Sequence, residues 1–99
     1  MALAKSVKVG SVIYDVIEKD VIEIAGNKNY LGVCDYSKTT IEIAKNISDE
    51  RKINTFVHEL LHAILNEAGY AEHEEEFVER VASVLCQVLR DNDFGWMRI

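Results

Sequence analysis

The stretch 48–69, "SDERKINTFVHELLHAILNEAG", decides the second half of the fold. Ser48 is a good helix N-cap, and Asp49 and Glu50 suit the positive end of a helix. Ile53, Val57, Leu60, Ile64 and Ala68 recur at three- and four-residue spacing, joined by Phe56 and Leu61, which predicts one apolar stripe. Gly69 is the expected C-terminal stop. A second helix is expected over 73–90, with Val78, Val81, Ala82, Leu85, Val88 and Leu89 as its apolar side.

Upstream the period changes. Val7 and Val9, then Val12, Tyr14 and Val16, alternate about Gly10-Ser11, which reads as a turn or bulge between two strands. "VIEIAGNKN" (21–29) fits either a short strand or one helical turn. "YLGVCDYSKTTIEIAK" (30–45) reads as a hairpin, with strands near 30–34 and 39–44 and a turn at 35–38; Ile41 and Ile43 share one face. The expected class is α+β: a small, twisted, mainly antiparallel sheet followed by two packed helices, in one domain spanning 1–99.

A net charge of −6 argues against a nucleic-acid partner, because the basic surface that phosphates require is lacking. It counts against an anionic membrane surface too. No apolar run is long enough to span a bilayer, and "MALAKSVKVG" has no signal-peptide core, so a cytoplasmic protein is expected. Cys34 and Cys86 form no CxxC and read as reduced, buried thiols. Phe94, Trp96, Met97 and Ile99 are expected to fold back on the sheet, because a small core needs large side chains.

Within the first helix, His58 and His62 lie one turn apart on the same face, with Glu59 beside the first. This H-E-x-x-H arrangement suits a divalent metal, zinc above all: two imidazole nitrogens hold the ion while the acid reaches a metal-bound water. A third ligand is needed. The metzincin continuation fails, since its Gly and His positions hold Leu65 and Ala68. The remaining candidates are His73 and the acids of "HEEEFVER" (73–80). Helical phase favours Glu75, in line with Val78 and Ala82; Glu74 is the second choice, and Glu76 falls on the solvent side. Glu79, four residues after Glu75, is placed to orient a histidine from behind. Tyr36, Tyr70 and His73 are polar groups that would stabilise an oxyanion, although each reads more simply as a loop or turn residue.

"TFVHELLHAILNEAG" followed by "EEEFVERVASVLCQVLRDN", and preceded by "YLGVCDYSKTTIEIAKNIS", resembles the small gluzincin-type metallopeptidase proteins encoded in phages and prophages. These are related in pattern to the ImmA/IrrE group and more distantly to SprT-like proteins. The resemblance covers about 7–92 and implies a minimal zincin-like fold. It implies zinc on His58, His62 and a second-helix Glu. Gluzincins carry that Glu in an N-E-x-x-x-D-like stretch; "EEEFVE" (74–79) matches it with Glu75 as ligand and Glu79 in the Asp place, while Glu74 replaces the Asn. It also implies that strand 39–44 is an edge that pairs with an extended protein or peptide substrate. Two functions follow as expectations. One is peptide-bond hydrolysis through a zinc-bound water with Glu59 as general base. The other is a zinc-stabilised phage regulatory or assembly module with little or no turnover.

Overall fold

The computed structural model describes Met1–Ile99. The alternating valines form β1 (Ser6–Val9) and β2 (Val12–Lys19), antiparallel about the Gly10-Ser11 turn, with Val9 opposite Val12. β3 (Gly32–Asp35) and β4 (Thr40–Ala44) form the second hairpin. Its turn is held by Asp35, whose Oδ1 accepts from the N–H groups of Ser37 and Lys38, each at 3.1 Å, and from the Ser37 hydroxyl at 2.8 Å. Short acidic side chains commonly close turns in this way. The ambiguous stretch 21–29 is neither strand nor helical turn. Ile24 and Asn27 exchange backbone hydrogen bonds of 2.9 and 3.0 Å across Ala25-Gly26, and Ile22 anchors the segment in the interior.

The sheet order is β1-β2-β4-β3. Two strand pairs are antiparallel, while the central pair, β2 with β4, is parallel, with Asp15 opposite Thr40 and Lys19 opposite Ala44. This corrects the expectation that 39–44 is an edge strand. β4 lies between two neighbours, and the free edge on that side is β3. Burial explains the placement: Ile41 and Ile43 are completely buried, and a strand with such residues is best covered when it sits inside the sheet.

α1 (Asp49–Glu67) begins as expected, with the Ser48 hydroxyl accepting from the Arg51 N–H at 3.2 Å. It lies between two layers. Ala63, with Phe56 and Leu60, meets Val9, Tyr14, Ile41 and Ile43 of the sheet. Val57 and Leu61 meet Val78, Ala82 and Cys86 of α2 (Glu75–Asp91). The apolar axis of α1 is therefore rotated from the stripe read in the sequence: Ile64 is 39% exposed and Ala68 is also exposed.

β2 is tied to α1 near both ends of the helix. The buried Lys52 ammonium pairs with Glu18 at 2.6 Å, and the Tyr14 hydroxyl donates to Glu67 at 2.7 Å. A buried charge requires such a partner. Both cysteines are free; Cys86 is buried and Cys34 partly so. The tail departs from expectation: Trp96, Met97 and Ile99 are exposed around a short 3-10 turn, Gly95–Met97, instead of covering the sheet. No helix is long and apolar enough to cross a membrane.

Candidate metal centre

One turn of α1 separates His58 from His62, and their ring centroids are 5.1 Å apart. Glu75, the first residue of α2, reaches across from the neighbouring helix. Its Oε2 lies 3.2 Å from His58 Nε2 and its Oε1 lies 2.8 Å from His62 Nε2. One donor atom from each of the three residues lies within 4.8 Å of the others. A tetrahedral zinc with bonds of about 2.0–2.1 Å sets its donors about 3.3 Å apart. Two imidazole nitrogens and a carboxylate at this spacing fit such an ion in both chemistry and separation.

The neighbouring acids are placed elsewhere. Glu74 is the N-cap residue of α2, and Glu76 pairs with Arg80 at 2.9 Å, so neither joins the cluster. Glu79 borders the same cleft one turn further along α2, without a hydrogen bond to either imidazole. His62 is buried, and burial is the main reason its pKa is pulled down; the Glu75 carboxylate opposes that shift. The imidazole is thus biased towards the neutral form, the form that binds metals.

Glu59 stands outside the donor cluster and faces β3. It is 9% exposed, and its pKa is pushed up to about 7, first by burial and then by the charge of Glu75. The Cys34 backbone N–H partly opposes the rise. β3 comes this close because residue 32 is glycine. A Cβ there would stand 2.5 Å from Thr55 Cγ2 and 3.2 Å from Glu59 Cγ. Burial also raises the pKa values of the Cys34 thiol and the Tyr36 phenol to about 12, so both keep their protons at neutral pH.

These groups line an open cleft of about 800 Å³ between β3, α1 and α2, which borders it from Glu75 to Cys86. Tyr36 is on its wall, whereas Tyr70 is 63% exposed and does not line it. His73 stands behind His62, its Nδ1 2.8 Å from that of His62. Two features of the site escaped sequence reading. The close approach at Gly32 had one signal, a glycine inside a β pattern. The His62–His73 contact had none, because it depends on the path of the interhelical loop.

Residues 15–84 match the family model of the peptidase M78, IrrE N-terminal-like domain, and the chain belongs to that family. It is accordingly a metallopeptidase-like domain, of a family whose members are typically metal-dependent. The matched segment contains His58, Glu59, His62, His73, Glu75 and Glu79. No curated protein and no solved structure matches the chain.

Proposed function

We propose that the protein is a zinc-dependent peptidase, with His58, His62 and Glu75 holding the ion and Glu59 serving as general base. The observation that carries this reading is the buried acid beside the donor cluster but not part of it. A purely structural zinc has no use for a desolvated carboxylate at that point. Zinc, when bound, would polarise the scissile carbonyl and lower the pKa of water to about 7.

The chain's own residues would do the rest. Glu59, buried beside the donor cluster and with its carboxyl pushed up by that burial, is placed to take a proton and give it back. It removes the proton from water as the water oxygen adds to the carbonyl carbon. It returns that proton to the leaving nitrogen as the C–N bond breaks. Substrate alignment is assigned to β3. The Ala44 N–H donates to the Leu31 carbonyl at 2.8 Å. Antiparallel alternation then turns the backbone groups of Val33 and Asp35 towards β4 and those of Gly32 and Cys34 towards the open side. An extended peptide would pair there as an added strand, beside Glu59.

Elemental analysis of wild type, Glu59→Gln and Glu75→Gln, with a peptide-library cleavage assay, tests this. Zinc is expected in wild type and Glu59→Gln and much less in Glu75→Gln, with cleavage by wild type alone. A wild type without zinc, even after refolding with the metal, would sink the proposal. Zinc without cleavage would leave the zinc-stabilised binding module.

A further inference from the structure

His73 lies in the loop between α1 and α2, and both of its ring nitrogens are engaged. Nε2 is 2.7 Å from the Tyr70 carbonyl oxygen, and Nδ1 is 2.8 Å from Nδ1 of His62. A carbonyl oxygen can only accept, so Nε2 of His73 carries a hydrogen. In the neutral ring Nδ1 then holds a lone pair, and the hydrogen between the two Nδ1 atoms belongs to His62. A neutral His62 with its hydrogen on Nδ1 has its remaining lone pair on Nε2. That is the atom 2.8 Å from Glu75 and inside the donor cluster. The Tyr36 hydroxyl also approaches His73 Nδ1, but at 3.4 Å it is the more distant neighbour.

The start of this chain of hydrogen bonds is fixed by the end of α1. Gly69, at φ +102°, turns the backbone into a left-handed conformation. The Gly69 N–H donates to the Asn66 carbonyl at 3.0 Å, and the Tyr70 N–H donates to the Leu65 carbonyl at 2.9 Å. This is the paired closure of a Schellman cap. It holds the residue whose carbonyl faces His73. The two imidazoles lie edge to edge, their planes 24° apart and their centroids 5.1 Å apart, with the Nδ1 atoms facing each other.

We infer that His73 is a positioning residue that locks His62 in the tautomer with Nε2 free for a metal ion, acting from behind the ring and not as a ligand. The inference rests on His62 being a zinc ligand. Outer partners of metal-bound histidines set ring orientation and tautomer, and losing one costs about 10–100-fold in metal affinity or activity.

The test is Zn²⁺ affinity by competition with a chromophoric chelator, for wild type, His73→Phe and His73→Asn, with circular dichroism as a check on folding. Long-range ¹H–¹⁵N spectra of the zinc-loaded proteins report the tautomers. His73→Phe should fold and bind zinc about 10–100-fold more weakly. His73→Asn keeps an acceptor near the place of Nδ1 and should recover most of that loss. Wild-type spectra should show His62 protonated on Nδ1, with no metal shift on His73.

Equal affinity in wild type and His73→Phe would overturn the inference while leaving the zinc site intact. Equal weakness in Phe and Asn variants, or a metal-shifted His73 nitrogen, would overturn it as well. A wild type that takes up no zinc would remove both this inference and the peptidase reading.

Discussion

Replacing Glu59 with glutamine should make the metal-free protein more stable at about pH 8 and leave it nearly unchanged at about pH 4. Glu59 is 9% exposed, and its pKa rises from 4.5 to about 7, chiefly because burial strips water from the charged form. Below the unfolded value both states hold the proton, so charge costs nothing. As pH rises towards the folded value, the unfolded chain releases its proton first, and stability falls. At about 1.4 kcal/mol per pH unit, the full cost is about 3 kcal/mol once the pH exceeds the folded pKa. Glutamine has nearly the same shape and no charge to desolvate. Urea unfolding of chelator-treated wild type and Glu59→Gln, at intervals between these pH values, reads the effect as a difference curve. The difference should be small in acid and grow to about 2–3 kcal/mol in favour of the variant. A flat difference, or a variant less stable at the alkaline end, would refute the account of Glu59 as a desolvated acid. A position where the fold would be more stable without its charge is the kind maintained for activity.

Other consequences can be measured alongside. Gly32→Ala should destabilise the protein by about 1–3 kcal/mol in urea, because its Cβ would meet Thr55 and press on Glu59; an unchanged midpoint would mean that β3 does not rest on α1 as described. Ser48→Ala should cost about 1 kcal/mol through the lost cap on the Arg51 N–H, read from the same unfolding curves. Zinc at about 100 times its Kd should stabilise wild type by about 2.7 kcal/mol in thermal or urea unfolding. Glu75→Gln should gain much less at the same zinc concentration, and an equal gain would place the ion elsewhere.

Much of this structure was legible in local pattern. The cap at Ser48, the stop at Gly69 and the one-turn spacing of His58 and His62 are properties of a single helix, and each stands where expected. Helical phase favours Glu75 over Glu74 and Glu76, and the structure brings Glu75 to the histidines. Strand order was not legible. The pattern of Ile41 and Ile43 shows that one face is buried, but does not show that β2 occupies the side of β4 away from β3. The rotated axis of α1 has the same origin. A helix held between a sheet and another helix buries a wider arc than a two-layer reading anticipates, which hides Ala63 and leaves Ile64 exposed. The exposed Trp96 shows the limit of inferring burial from side-chain size.

The parallel pairing of β2 with β4 also shapes the cleft. An antiparallel neighbour could follow β2 through two residues, but a parallel one requires the chain to travel back along the sheet before it can pair. Residues 20–31 carry the chain across the end of β4, from Lys19 beside Ala44 to Gly32 beside Ile43, before β3 makes the return, and Ile24, Tyr30 and Leu31 from this stretch line the cleft. The connection thus supplies a facing wall that a chain of 99 residues would otherwise lack. Sequence changes within it would alter the cleft's width and greasiness while leaving the histidines, their supporting helix and the strand register untouched. If the cleft takes a peptide as proposed, selectivity for one peptide over another would diverge in this crossover independently of the metal site beneath it.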